Sequence, residues 1–429
     1  MEVAYKEVLR RVSGNPSPRV TITPPNRLDT TNWELLATLA SFPRPALVEE
    51  LRDVLRKMTG REHVFFAPSC RAAIAQILSM LPQREVVMPA YTCPVVKVAV
   101  ELAGKTIVYV DISKETLNAT SREYEKEVKC GRVLLPTHLF GIPTDVERIC
   151  QLAKDRNCVT IEDAAAALGS QRNGRPLGTF ADFGVFSFER SKRVPSFQGA
   201  AIIVNNDHLL DPAKLSIHRV TPTKGGMPIR ELLRAMVYNA ATIPWLYGRV
   251  TVPRLLGRYA EMHGEPEWAP SATALNSAYY KQEFHPYQAG LALRVTKRMN
   301  GIRDHVRRLA DIYKNAFHNA PLDTFLSPDC DCAGLLRFPV AFQQKKRVEA
   351  LCLALRNGLY LETNYERPLP DGGEWSRFPN AVWAAENIVL LPLYRALSLK
   401  GAERLATKIV EVAKATARPS PLCGEISAA

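Results

Sequence analysis

Short apolar runs alternate with amphipathic segments between residues 63 and 205. Apolar runs bounded by turn residues predict buried strands, and apolar positions spaced three and four apart predict helices. The predicted strands are His63–Ala67, Val86–Met88, Ile107–Val110, Val133–Pro136, Val159–Ile161 and Gly184–Phe188. The predicted helices are Pro45–Thr59, which Gly60 ends, Arg71–Leu81, Val95–Leu102 and Asp145–Asp155. This alternation indicates an α/β fold with a mostly parallel central sheet flanked by helices.

The remaining segments have different patterns. Residues 1–45 are rich in proline and polar residues and are interpreted as an N-terminal arm, and residues 206–280 as an irregular insertion or cap. A long helix is predicted over Pro286–Phe317. A smaller α+β unit follows. Its predicted strands are Leu335–Val340 and Ile388–Leu391, and its predicted helices are Lys345–Asn357 and Lys400–Ala415. We therefore expect an arm (1–45), a large domain (46–290) and a smaller α+β C-terminal domain (291–429).

Composition is that of a globular protein, with 429 residues, 46% hydrophobic and 23% charged. The nine cysteines show no framework spacing, and Cys330 and Cys332 are too close in sequence for a usual zinc knuckle, so we expect free thiols, no metal site and a cytoplasmic location. The first residues lack the apolar core of a secretion signal. No apolar run is long enough to span a membrane; the longest, Leu232–Leu256, is interrupted by charged residues and prolines. It fits a cap or an interface, with membrane-surface contact as the alternative.

The formal net charge is +13. Such a balance suits nucleic acid, an anionic membrane or anionic small molecules, and it also fits a generally basic surface. The basic residues form no single tract and no nucleic-acid-binding motif accompanies them, so a nucleic-acid partner is not expected.

The stretch from Val159 to Val204 carries the most chemical information. One apolar strand ends in Glu162-Asp163, and a later strand ends at Ser187, five residues before Lys192. The carboxyl ends of strands are where α/β proteins place their sites. A carboxylate, a hydroxyl and a lysine are what a pyridoxal phosphate (PLP) site requires, to hold the ring nitrogen, the phosphate and a Schiff base respectively. On spacing alone, however, Asp163 and Lys192 fit a surface ion pair as well.

The surrounding residues resemble the DegT/DnrJ/EryC1/StrS family of PLP-dependent sugar aminotransferases. The matching motifs read EDAAAALG from Glu162, GTFAD from Gly178, FSF from Phe186, and Ser191-Lys192. The resemblance implies the PLP-dependent transferase fold of type I. It also implies that Asp163 pairs with the pyridine nitrogen, Ser187 binds the phosphate and Lys192 is the catalytic lysine that carries the cofactor.

Further segments resemble the family, over roughly residues 40–415. Ser69-Cys70-Arg71 resembles the turn that opens a phosphate-binding helix, where backbone N–H groups bind the anion. Thr137-His138-Leu139-Phe140-Gly141 resembles a segment at the cofactor face. That places His138 near the cofactor, although an isolated histidine fits a structural role as well.

Departures from the family pattern fall at three further cofactor positions. Ala166 occupies the position of a glutamine or histidine that contacts the cofactor's 3-hydroxyl, and Cys93 that of an aromatic residue stacked on the ring. Lys281 stands where an asparagine reaches across the dimer, and a solvated helix lysine is its alternative interpretation. These departures leave ring stacking and the usual substrate open.

The resemblance implies an aminotransferase that moves an amino group from an amino acid, such as glutamate, to a keto group of a nucleotide-linked sugar. It also implies a homodimer with shared active sites. Transfer to a cyclitol or another carbonyl compound is the alternative within the same chemistry. A PLP-fold protein that has lost catalysis and serves as a binding partner is the alternative from another class.

Overall fold

A seven-stranded sheet lies at the centre of the computed structural model, which describes residues 23–24, 26–40, 44–211, 227–255, 284–326, 330–343, 347–357 and 359–416. Its strands are β1 His63–Ala67, β2 Glu85–Pro89, β3 Thr106–Val110, β4 Val133–Leu134, β5 Val159–Asp163, β8 Phe183–Ser187 and β9 Ala200–Val204. They are ordered β1-β9-β8-β5-β4-β2-β3. The two intervening strands, β6 Gln171–Arg172 and β7 Arg175–Pro176, form a separate hairpin.

Five neighbouring strands, from β8 through β5, β4 and β2 to β3, pair in parallel. Only β9 runs against its neighbours, pairing antiparallel with β8 and β1. Every residue of β5, β8 and β9 is buried, because helices cover both faces of a largely parallel sheet. The predicted mostly parallel sheet is confirmed, whereas the reversed strand β9 was not predicted.

Helices surround this sheet. They are α1 Asn32–Ala40, α2 Ala46–Thr59, α3 Cys70–Met80, α4 Pro94–Leu102, α5 Ser121–Glu127, α6 Val146–Asp155, α7 Met227–Ala241, α8 Pro244–Leu246, α9 Pro286–Thr296 and α10 Met299–Phe317. Helix α2 ends as its sequence predicts, since Gly60 adopts the left-handed conformation and its N–H bonds the Arg56 carbonyl at 2.8 Å.

A second, three-stranded antiparallel sheet is built from the C-terminal part of the chain. Its strands are β10 Leu322–Thr324, β11 Arg337–Phe342 and β12 Ile388–Pro392, in the order β10-β11-β12. Helices α11 Arg347–Arg356, α12 Pro379–Asn387 and α13 Leu399–Thr416 accompany it. This is the smaller α+β unit that the sequence predicts. The division of the chain into three parts stays a prediction, and α9 spans its proposed boundary between residues 290 and 291.

Two sequence-based expectations were wrong. The single helix predicted over residues 286–317 is two helices, α9 and α10, separated at Lys297 and Arg298. Helix α9 is buried along nearly its whole length against α1 and α2, whereas α10 packs one face against α13, so the chain must change direction between them. Within the region 206–280, residues 227–255 are largely helical rather than irregular, over α7, α8 and a π-helical turn at Tyr247–Thr251.

Across the described residues, no helix combines the length and the apolar character needed to cross a bilayer. The same residues contain no group of three or more histidine, cysteine, aspartate or glutamate side chains arranged to hold a metal ion.

Candidate active site

The carboxyl edge of the central sheet collects the predicted site residues. Asp163 is the last residue of β5 and Ser187 the last of β8, and these strands are parallel neighbours. Strands β1 and β8 are both antiparallel to β9, so they run in the same direction and β1 also ends at this edge. Its end leads into Ser69 and α3, so segments distant in sequence meet at one place, as open α/β sheets require.

A cavity of about 770 Å³ opens at this edge. The predicted site residues that line it are Ser69, Cys70, Arg71, Cys93, Asp163, Ala166, Ser187 and Lys192. Its volume lies within the range usual for small-molecule and cofactor sites. Lys281 lies outside the described residues. The structure therefore brings together the predicted cofactor residues that it describes, with the exception of His138.

The carboxyl of Asp163 is buried at the floor of this cavity. Burial raises the pKa of the Asp163 carboxyl above its ordinary value, while a hydrogen bond from the Ala165 N–H (3.1 Å) and the Lys192 ammonium oppose that shift. A buried carboxyl with so little compensation suits a cationic partner in the cavity. The protonated ring nitrogen of PLP is such a partner, so the residues present fit the cofactor.

A tight turn after β8 presents Lys192. The Lys192 N–H bonds the Glu189 carbonyl at 2.9 Å, and a Glu189 carboxylate oxygen accepts the Ser191 N–H at 2.8 Å. Further along, the Ser196 N–H bonds the Phe188 carbonyl at 2.8 Å. These bonds close the turn on itself, and they fix the backbone from which the lysine side chain reaches the cavity.

Arg193, the residue after the lysine, anchors this turn to the C-terminal sheet. Its buried guanidinium donates to the carbonyls of Leu393 (3.1 Å) and Leu335, and lies 3.8 Å from the Asp29 carboxylate. Burial lowers the pKa of Arg193 to about 10, with Asp29 opposing the shift. Sequence reasoning missed this residue, although a charged side chain beside a candidate catalytic lysine was a visible signal.

The N-terminus of α3 supplies donors for an anion. The Ser69 hydroxyl caps the helix by accepting the Ala72 N–H at 3.2 Å, and Cys70 and Arg71 form the first turn at the cavity. First-turn N–H groups have no acceptor within their own helix and carry the positive end of its dipole. The Ser187 hydroxyl lies at the same cavity and accepts the Glu189 N–H at 3.3 Å. This donor set fits a phosphate group.

Aromatic side chains flank the cysteine that replaces the expected stacking residue. Tyr365, from beyond the central sheet, lies near Cys93, and its ring stacks on Phe140 at a centroid distance of 5.7 Å. Both Tyr365 and Phe140 line the cavity, and both adopt positive φ angles, at +50° and +57°. Burial raises the pKa of the Cys93 thiol, which therefore stays protonated near neutral pH. The methyl group of Ala166 offers no hydrogen bond, so the usual polar contact at that position is absent.

His138 is the predicted site residue that does not line the cavity. Its ring is fully buried, with Nε2 lying 2.8 Å from a Glu162 oxygen and Nδ1 accepting the Thr144 N–H at 3.1 Å. The acceptor role of Nδ1 puts the proton on Nε2, which donates to Glu162. The Glu162 carboxylate also accepts the backbone N–H groups of Gly178, Phe180 and Ala181. His138 and Glu162 thus hold the 178–181 turn against β5. This is the structural role that was the alternative to a cofactor contact for His138.

The outer wall of the cavity comes from residues that sequence reasoning did not select. Helix α7 contributes Tyr238, and the segment after it contributes Thr242 and Tyr247. This region therefore caps its own chain's cavity, as one of the sequence interpretations held. Its opposite side is exposed, with Val237 67% and Trp245 55% accessible.

A buried ion pair completes the outer wall. Arg337 Nε lies 2.6 Å from Glu362 Oε2, and both side chains line the cavity. The sequence signal for Arg337 was a cation within the otherwise apolar run LLRFPVAF. Nothing in the sequence pattern linked it to Glu362.

Comparisons with known proteins show which sequences and folds the chain is similar to. The model of the DegT/DnrJ/EryC1/StrS aminotransferase family matches residues 42–228. The chain is 34% identical to GDP-perosamine synthase of Escherichia coli O157:H7 over 128 residues, which are 30% of this chain and only 35% of that protein. The chain therefore spans about a third of the length of this curated relative.

Solved structures cover nearly the whole fold. The putative sugar aminotransferase Spr1654 from Streptococcus pneumoniae, in its PMP form, is 20% identical and superposes with a TM-score of 0.71, covering 93% of this chain and 100% of that one. DesI in the presence of its TDP-sugar product is also 20% identical, with a TM-score of 0.67 over 91% of this chain and 92% of that one. The architecture is the type I fold of PLP-dependent transferases. Over residues 42–228 the chain is similar to the DegT/DnrJ/EryC1/StrS aminotransferase family.

Proposed function

We propose that the protein is a PLP-dependent aminotransferase. It transfers an amino group from an amino acid, with glutamate as the expected donor, to a keto group of a nucleotide-linked sugar. The observation that carries the proposal is the meeting of Asp163, Lys192 and the N-terminus of α3 at one cavity of about 770 Å³. These groups are suited to a ring nitrogen, a carbonyl carbon and a phosphate.

When bound, PLP supplies an electron sink for the bond changes at the amino carbon. Asp163 acts by holding a proton on the ring nitrogen, because an opposite charge nearby favours the charged form. Lys192 Nζ would hold the cofactor covalently and would serve as the general base and acid that moves a proton at the amino carbon of the substrate. The N–H groups at the start of α3 and the Ser187 hydroxyl hold the phosphate. Burial of Asp163 at the cavity floor excludes water from the ring nitrogen.

Two of the similar proteins support the sugar-nucleotide assignment through their names. GDP-perosamine synthase is named for a GDP-linked sugar, and the DesI structure contains a TDP-sugar product. The net charge of +13 suits an anionic substrate in general. The nucleotide, the sugar and the carbon that is aminated are left open in this proposal.

The proposal includes a cytoplasmic homodimer with shared active sites, as the family resemblance implies. Lys281, the candidate for a contact across the dimer, lies outside the described residues. Light scattering at micromolar concentration tests the assembly. A monomer that retains full turnover would exclude shared sites while leaving the chemistry of Lys192 intact.

Replacement of Lys192 tests the cofactor assignment. The purified protein incubated with PLP should show a visible absorption band, and borohydride should fix the cofactor to the protein irreversibly. In Lys192→Ala the covalent attachment and the activity should both be lost. Lys97→Ala, on the neighbouring helix α4, is the matched control and should retain both. Covalent attachment that persists in Lys192→Ala would assign the cofactor to another lysine.

Half-reactions then test the activity itself. The PLP-loaded protein is mixed with a panel of amino acids while the visible band is followed, and the aminated form is then mixed with keto-sugar nucleotides. A donor should convert the spectrum and an acceptor should restore it. Retention of PLP without a spectral response to any amino acid would favour the catalytically inactive alternative.

A further inference from the structure

The buried ion pair of Arg337 and Glu362 lines the same cavity as Asp163 and Lys192. We propose that this pair seats an uncharged, hydroxyl-bearing ring of the acceptor substrate, and that the pyrophosphate lies outside this wall. The inference rests on the proposed function and assigns the sugar-recognising residues of the same cavity.

The C-terminal sheet sets the two side chains next to each other. Arg337 begins β11 opposite Pro392 of β12, and Glu362 forms an isolated bridge with Leu390 on the other side of β12. Leu390 and Pro392 are two residues apart and therefore face the same side of the sheet. Arg337 and Glu362 thus project from one sheet face across β12, which fixes the pair independently of any ligand.

The pair presents both a donor and an acceptor. Arg337 uses Nε on Glu362 and Nη1 on the Leu336 carbonyl at 2.9 Å, and Glu362 uses Oε2 on Arg337. Among the described residues, neither Arg337 Nη2 nor Glu362 Oε1 has a hydrogen-bond partner within the protein, while both side chains line the cavity. A hydroxyl group both donates and accepts, so a pair of ring hydroxyls matches these two atoms.

Charge argues against an anion at this position. The carboxylate that neutralises Arg337 would repel a phosphate or a carboxylate placed beside it. Arg190, also on the wall, is likewise matched by Glu189, with 3.4 Å between Nε and Oε1. The cations of this part of the described wall are therefore already balanced, and a pyrophosphate finds no excess positive charge here.

The neighbouring wall has the polarity of a sugar site. The hydroxyls of Thr242 and Thr251 donate to the carbonyls of Tyr238 (2.9 Å) and Ala241 (2.8 Å). Their oxygens therefore keep lone pairs for acceptance, while Leu255 offers an apolar surface to the C–H face of a ring.

The test uses the double variant Arg337→Met/Glu362→Gln, since removing one partner alone would leave a buried charge unpaired and destabilise the fold. The matched control is Arg132→Met/Glu85→Gln, which removes an ion pair of 2.9 Å away from the cavity. In the PLP-loaded enzyme, the KM for the keto-sugar acceptor should rise about 10- to 100-fold, as expected for lost hydrogen bonds to charged groups. The KM for the amino donor in its half-reaction should remain unchanged in both double variants.

A binding measurement tests sugar binding at the Arg337–Glu362 pair without relying on turnover. Saturation-transfer NMR with methyl mannopyranoside and methyl glucopyranoside should show ring protons receiving saturation from the wild-type protein and the control, and losing it in Arg337→Met/Glu362→Gln. GDP and TDP signals should be unaffected by that double substitution.

Three results would overturn the inference. A comparable rise in the donor KM would make the pair a carboxylate site. An unchanged acceptor KM together with unchanged saturation would leave the pair a purely structural role. Absence of saturation in the wild-type protein would exclude a sugar seat, even with the donor half-reaction intact. Failure of the proposed function is distinct, because it appears as a wild-type protein without the donor half-reaction.

Discussion

Arg193→Met removes the side chain that ties the lysine turn to the C-terminal sheet. The methionine retains much of the volume of the arginine stem, so the change deletes mainly the guanidinium. Two carbonyls, of Leu335 and Leu393, lose a charged donor, and the Asp29 carboxylate loses its cation at 3.8 Å. All of these groups are buried, and water cannot replace the lost partner without opening the structure.

The cost follows from that burial. Removing one partner of a buried ion pair typically costs about 3–5 kcal/mol, because the remaining charge is uncompensated. Asp29 keeps the Arg395 N–H at 3.2 Å, so its carboxylate is not left bare. We therefore expect a loss in unfolding free energy near the lower end, about 3 kcal/mol. Since Arg193 adjoins Lys192, the loss should be accompanied by weaker PLP binding.

Urea unfolding followed by circular dichroism measures the loss, and visible absorption titrated with PLP measures the affinity. Arg132→Met is the control, because its side chain is 7% exposed but its partner Glu85 is 43% exposed. Its cost should be smaller, about 1 kcal/mol, with PLP affinity unchanged. If Arg193→Met lost less than about 1 kcal/mol and bound PLP normally, the anchoring role argued from its contacts would be wrong.

Two further substitutions test the buried carboxyl of Asp163 and the packing of β8 at Gly184. Because burial raises the pKa of the Asp163 carboxyl above its value in the unfolded chain, stability is full below the unfolded pKa and falls as pH rises through the raised folded value. Without cofactor, Asp163→Asn should accordingly have a higher melting temperature than wild type near neutral pH and the same melting temperature below about pH 4. With PLP bound, its turnover should fall by orders of magnitude. Equal melting temperatures at both pH values, or a near-normal rate, would contradict these roles. Gly184→Ala would place a methyl carbon 2.0 Å from the Gly178 carbonyl oxygen and should cost about 1–3 kcal/mol in unfolding free energy, whereas Gly372→Ala, with open space around it, should be nearly neutral by the same denaturant assay.

The sequence predicts those parts of the fold in which the local pattern of apolar and turn residues determines the secondary structure. Strands β1, β2, β3, β5 and β8 lie within two residues of their predicted bounds, because each is an apolar run between turn residues. Register in β5 also places Asp163 at the cavity and Glu162 on the opposite face, since successive side chains alternate. The meeting of Asp163, Ser187 and Lys192 at one cavity could thus be predicted from strand ends together with a family resemblance, and their contacts with a cofactor stay a prediction.

The sequence-based predictions fail where contacts between residues distant in sequence determine the structure. The break between α9 and α10 depends on their different packing partners, and helical periodicity alone does not reveal it. His138 was assigned to the cofactor face by resemblance, but its ring nitrogens are taken by Thr144 and Glu162. The outer wall was missed because Arg337 and Glu362 meet only through the pairing of three separate segments at β12.

The residues that line the cavity come from two parts of the chain. The expected cofactor residues that line the cavity, from Ser69 to Lys192, lie within the family match over 42–228, whereas Lys281 lies beyond it. Tyr238, Arg337 and Glu362, which line the same cavity, lie downstream of that match. If the proposed roles hold, mutation or recombination after residue 228 alters which acceptor is admitted while the proposed cofactor residues from Ser69 to Lys192 are inherited unchanged. Chimaeras joined near this position would exchange specificity as a module, and acceptor range is expected to diverge faster than chemistry among descendants of such a gene.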